Sequence, residues 1–173
     1  MSVAALLSLA LLSGDASAFK LAQAEAPVST GQSREEEIRA AAAAAGDPFP
    51  VGAPVDDYGF VGWCYGALTQ HMALRPRVWG EVQRIEGQFA DPNATLDAAL
   101  AAYDEQAKEG EAELALFQEA LDAKRGDKAA AMAKGQAIWA GSEAADDRKL
   151  AQFWMSWSLP SRCHTTANRL LGR

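Results

Sequence analysis

DYGFVGWCYGALTQHMALRPRVWGEVQRIEGQF, running from Asp57 to Phe89, is the stretch that decides the fold. From Tyr58 to Leu74 it holds no Asp, Glu, Lys or Arg, which marks a helix covered on most sides. On a 3.6-residue wheel, Phe60, Cys64, Ala67, Leu68 and His71 fall on one side. Gly59, Gly62, Gly66, Thr69 and Ala73 fall on the other. A bare stripe of this kind lets a second helix backbone come close. That gain offsets glycines that each cost about 1 kcal/mol relative to Ala inside a helix.

Gly62 and Gly66 also match the small-xxx-small pattern of membrane helix pairs, but a spanning helix needs about 20 apolar residues. Thr69, Gln70 and His71 interrupt the run, so the segment reads as a buried core helix and no membrane span is expected after the leader. Pro76 lacks the backbone donor a helix interior needs, so the helix should end or kink near Leu74. Trp79, Val82, Ile85 and Phe89 then resume the spacing, giving one long bent helix or two in succession.

Outward from this element, 173 residues suffice for one domain. The net charge is −7, and the basic residues are scattered singly or in pairs. Neither nucleic acid nor an anionic membrane surface finds an electrostatic footprint here. At the N-terminus, VAALLSLALL (Val3 to Leu12) has the length of a signal-peptide core, and Ala16-Ser17-Ala18 supplies small residues for cleavage. Residues 1–18 are therefore read as a signal peptide, with Ala22-Gln23-Ala24 as the alternative cleavage motif. The lack of Lys or Arg before the run departs from the usual pattern. A periplasmic or secreted protein is expected, and with no Cys at the cleavage site, no lipid anchor.

Residues 19–55 are rich in Ala, Pro, Gly, Ser and Gln and read as a flexible tether. One short helix is expected within it, from a capping box of Ser33 with Glu36 to a stop at Gly46. Residues 56–173 form the domain. Asp56 and Asp57 suit the N-terminus of the central helix, and Asp91-Pro92 opens a long helix to about Lys124. Its apolar or small positions are Leu96, Leu100, Tyr103, Ala107, Gly110, Leu114, Phe117 and Leu121, with the 3.5-residue period of a coiled-coil seam. The central helix is its expected partner. The seam narrows at Ala107 and Gly110, where a bulky side chain from elsewhere is expected to fill the space.

Gly126-Asp127 starts a slim helix with Met132, Gly135, Ile138 and Trp139 on its inner side. Asp146 and Asp147 precede the heaviest apolar stripe of the chain, Leu150, Phe153, Trp154 and Trp157. Pro160 interrupts it, and an amphipathic segment ends at Leu170-Leu171. No strand alternation follows the leader. The fold class is all-α, a helical bundle of about four to six helices with a long bent central helix and a coiled-coil-like partner.

Two cysteines, Cys64 and Cys163, are expected to form a disulfide in an exported protein. A Cys2His2 metal site with His71 and His164 is the alternative. It fails on geometry, since Cys64 and His71 lie two helical turns apart, roughly 10 Å at 1.5 Å per residue. No nucleophile elbow, phosphate loop, zinc-binding H-E-x-x-H or EF-hand loop occurs, so no catalytic role and no cofactor is expected. Asn93-Ala94-Thr95 matches a glycosylation sequon, but a helix start explains the asparagine as well. His71 is expected to be a neutral, hydrogen-bonded core histidine.

Two functions from different classes remain. An exported, non-enzymatic interaction module would present the acidic outer face Asp104, Glu105, Glu109, Glu111 and Glu113 to another envelope or secreted protein. A bundle that binds a small apolar ligand would use an aromatic pocket of Trp63, Tyr65, His71, Trp154 and Trp157. A pocket at Ala107 and Gly110 would discriminate in favour of the second.

Overall fold

A computed structural model describes residues 31–89 and 95–173. The leader expected over residues 1–18, the first part of the tether, Asp91-Pro92 and Asn93 lie outside the described residues. The chain divides into two units at residue 37, and the described residues of the first, 31–37, are the opening turns of a helix. The second, Ile38 to Arg173, is all-helical among the described residues. Its elements are α1 (Gly31–Ala44, begun in the first unit), α2 (Asp57–Phe89), α3 (Leu96–Asp122), α4 (Lys128–Gln136), a 3-10 turn (Ala137–Trp139), α5 (Ala140–Glu143), α6 (Asp147–Ser156) and α7 (Ser161–Leu171).

Caps set several of these boundaries. The Asp56 carboxylate accepts the Gly59 amide at 2.7 Å, Thr95 accepts from Ala98 at the start of α3, and Asp127 accepts from Ala130 at the start of α4. Asp146 accepts from Lys149 at the start of α6, and that backbone bond holds the Asp146 carboxyl below its ordinary range. One expectation is corrected, and one choice between two expected outcomes, a single helix or two at Pro76, is decided. Helix α1 begins at Gly31, ahead of Ser33, so Ser33 does not cap it, although Gly46 does stop it with a positive φ of 75°. Pro76 does not divide α2, which continues as one helix through Phe89. Buried Leu74, Val78, Val82 and Ile85 anchor both sides of the proline, and this packing offsets the lost backbone bond.

Helix α2 is the common partner, touching α3, α4, α6 and α7. On its bare side, α4 approaches so closely that a methyl added at Gly66 or Gly135 would overlap the carbonyl oxygen of Met132 or Trp63. At Gly62 the added methyl would overlap the Ala131 side chain. The glycine stripe therefore does what its spacing implies. The opposite side of α2 builds two apolar clusters, one around Phe60, Cys64, Leu68, Phe117 and Leu121 and one around Val78, Val82, Leu150 and Trp154. In the first, Cys64 and Cys163 form the expected disulfide with Cα atoms 5.9 Å apart, tying α7 to α2 across 99 positions. Closing a loop of that length stabilises a fold by about 4 to 5 kcal/mol in the chain-entropy description. At the N-terminus of α2, the Arg169 guanidinium of α7 pairs with both Asp57 oxygens, at 2.6 and 2.7 Å.

From Ile38 to Val55, the segment read as the end of a flexible tether packs on the bundle. The Phe49 ring meets Phe60 edge-on at 5.1 Å, the Arg162 guanidinium lies 4.4 Å over Phe49, and Ala53 is fully buried. Arg162 also pairs with Asp47, and Arg39 donates to the Ala53 carbonyl. Composition alone hides this because one aromatic ring and two arginines secure an otherwise small-residue segment.

The close approach of α2 and α4 yields a contrast. Gly66→Ala and Gly135→Ala should each destabilise by about 2 kcal/mol or more, since backbone must move. Gly80→Ala on exposed α2 surface, where an added methyl meets nothing within 4 Å, should stabilise by up to about 1 kcal/mol. Urea unfolding of the three variants checks both signs.

Candidate ligand cavity

Three elements meet where the α3 seam narrows. Helix α2 contributes Leu68, His71, Met72 and Arg75 at i, i+3, i+4 and i+7, a single stripe. Helix α3 contributes Tyr103, Gln106, Ala107, Glu109, Gly110 and Glu113. Trp154 comes from α6, and Trp157, Ser158 and Leu159 from the chain that follows it. Between them lies a cavity of about 380 Å³, towards the small end of the range typical of ligand sites.

The expected filling of the seam is thus corrected. Met72 and Leu68 do reach Gly110, with Met72 Sδ 3.2 Å from where a Cβ would stand. The large rings available to fill the rest are drawn to His71. Trp154 stacks on the imidazole at 4.5 Å with planes 3° apart, and Trp157 and Trp139 lie 4.8 and 5.4 Å from it. Two hydrogen bonds pin the indoles to α2: Trp154 Nε1 donates to the His71 carbonyl at 2.8 Å, and Trp139 Nε1 to the Ala67 carbonyl at 3.0 Å. Helix α6 ends at Ser156, and Trp157 turns to extended backbone (φ −77°, ψ 137°), which takes it off the helical stripe and sets its ring beside His71. With the rings held there, the space beside the Ala107 methyl stays open.

His71 is only 5% exposed, and burial pushes its pKa down to about 4, so it is neutral at physiological pH. Its hydrogen bonding departs from expectation, because Nδ1 is buried without a partner in the protein. Such an orphaned group costs about 1 to 3 kcal/mol. A second orphan belongs to another residue of the cavity wall. Glu113 uses Oε1 to meet His164 Nδ1 at 2.8 Å, while its Oε2 is buried and unpartnered. Tyr103 donates to Glu86 at 2.6 Å, and burial, reinforced by that carboxylate, raises its pKa and keeps it a neutral donor. Arg75 pairs with Asp104 and lies 4.5 Å over the Trp79 ring.

Of the aromatic pocket expected from the sequence, His71, Trp154 and Trp157 are brought together. Trp63 and Tyr65 are placed elsewhere: Trp63 is buried against Phe60 at 6.0 Å, and Tyr65 lies under the Lys128 ammonium at 5.4 Å. Their wheel positions put them towards α4 and Lys128, beyond reach of the α3 seam. On the acidic helix, Asp104 pairs with Arg75, Glu105 with Lys108 and Glu113 with His164, while Glu109 lines the cavity and Glu111 is exposed. Tyr103, Met72 and Arg75 were missed as lining residues, although Tyr103 stands one turn from Ala107 in the very seam that narrows. Among the described residues, no group of three or more His, Cys, Asp or Glu is placed to hold a metal ion, and Cys64 and Cys163 are consumed by their disulfide. No helix among the described residues is long and apolar enough to cross a membrane. Compared with known protein families, curated proteins and solved structures, the chain matches none.

The depressed pKa of His71 gives a pH dependence of known sign. Protonation favours the unfolded chain, so the stability tied to the neutral imidazole is complete above pH 6.5 and is lost as pH falls towards about 4. Over that window the loss is about 3 kcal/mol. His71→Phe keeps the ring stack without the titration, so urea unfolding at the two ends of the window should show a smaller acid loss in the variant by about that amount.

Proposed function

We propose that the protein is an exported helical bundle that takes up a small, largely apolar ligand in the cavity between α2, α3 and α6. The observation that carries this is the pairing of open space with unsatisfied chemistry: a cavity of about 380 Å³ walled by Tyr103, Trp154 and Trp157 also contains two residues with buried, unpartnered polar atoms, His71 and Glu113. An apolar wall with a few convergent polar groups is what small-molecule sites consist of. The alternative, a protein-docking role for the acidic helix, is weaker because Asp104 and Glu105 already have cationic partners within the chain and Glu113 is hydrogen-bonded to His164. Export is supported by the apolar run before Ala18 and by the disulfide, which suits an oxidising compartment. An exported chain should begin at Phe19 or Glu25 when its mature N-terminus is read by mass spectrometry, and an intact leader on the functional protein would oppose export.

Filling the cavity tests the binding reading. Ala107→Leu places three more carbons in the open space and should leave the melting temperature unchanged or higher, while Nile red, an apolar fluorescent probe, should bind about tenfold or more weakly than to the wild type. Equal probe affinity in wild type and variant, or no emission change with wild type, would refute it.

A further inference from the structure

The walls of the cavity also bear on the kind of molecule it holds. Aromatic faces carry negative electrostatic potential, and Tyr103, Trp154 and Trp157 supply three such rings. Two carboxylates join them. Glu113 Oε2 is a buried acceptor with no donor, and Glu109 lines the cavity with no cationic partner among the described residues. A shallower groove that shares Tyr103, Gln106 and Glu109 with the cavity is also lined by Glu86 and by Glu105, the latter paired with Lys108. Against these stands Arg75, whose guanidinium is engaged by Asp104 and by the Trp79 ring. The imidazole of His71 adds no positive charge, because burial keeps it neutral. An anion entering here would meet an already paired arginine and two carboxylates. A neutral apolar body would gain nothing from either carboxylate.

We infer that the ligand of this cavity is an organic cation, a flat apolar body bearing a protonated amine, with the ring among Trp154, Trp157 and Leu159 and the ammonium towards the Glu109 and Glu113 carboxylates. This rests on the cavity-binding reading above and specifies its substrate class. An ammonium group is attracted by these two carboxylates and gains from the surrounding π faces. Glu109 strengthens the local field at the exposed rim without needing direct contact.

The test uses three molecules with one ring system and different charge: naphthylethylamine, naphthylethanol and naphthylacetate, titrated calorimetrically into the full chain at neutral pH. The amine should bind about tenfold tighter than the alcohol, and the acetate weakest. Glu113→Gln should shrink the amine-to-alcohol ratio severalfold. Glu109→Gln, at an exposed position where folding is not at stake, should shrink it by a smaller factor. Equal or tighter binding of alcohol or acetate overturns the charge assignment and leaves cavity binding standing, as does an amine preference unchanged in both variants. No heat from any of the three, together with failure of all three to displace Nile red, overturns both.

Discussion

Everything in the bundle depends on how closely α4 lies against α2. Gly62, Gly66 and Gly135 remove the side chains that would hold two helices apart, and backbone meets backbone at Trp63 and Met132. With α4 seated there, the 3-10 turn that follows it delivers Trp139 to the Ala67 carbonyl. The bulky side of α2 is left to α3, α6 and α7. One helix face is thereby used up by a thin partner, and the other must be covered by three elements of unequal bulk.

The cavity is a consequence of that inequality. Helix α3 arrives with Ala107 and Gly110 where a coiled-coil seam would carry large residues, and α6 arrives with aromatic rings that prefer the imidazole of His71. Stacking, the Trp154 indole hydrogen bond and the turn after Ser156 fix those rings. The disulfide between Cys64 and Cys163 secures the opposite end of the same face, where packing around Phe60 and Phe117 is complete. Stability and open space are in this way assigned to different stretches of one helix. Native interiors are close-packed, so a gap whose lining residues include two with unsatisfied polar atoms invites a functional explanation.

Much of this was legible in the sequence, for physical reasons that differ by element. Helical periodicity and side-chain size are local properties, so the glycine stripe of α2, the seam of α3 and the Leu150 to Trp157 stripe could be read directly. Cysteine count and leader pointed to the bridge. What was not legible depended on distant partners. Whether Ala107 and Gly110 would be filled was decided by where Trp154 and Trp157 turned, and this followed from a stack with a histidine more than 80 positions away. Trp63 and Tyr65 looked like pocket residues from aromatic density, but their angular position on α2 sends them to α4 and to Lys128. Similarly, Phe49 and Arg162 convert a segment of tether-like composition into packed chain. Continuity of α2 through Pro76 was likewise a tertiary outcome, set by the apolar residues on either side.

The indole N–H signals of the protein's five tryptophans offer the most direct check that the cavity is the binding site. Each reports on a separate location: Trp154 and Trp157 line the cavity, Trp63 stacks on Phe60, and Trp79 lies under Arg75. Followed by NMR during titration with Nile red, the Trp154 and Trp157 signals should move together and saturate while Trp63 and Trp79 stay in place. Saturable movement at Trp63 or Trp79 with Trp154 and Trp157 unmoved would contradict a ligand cavity between α2, α3 and α6.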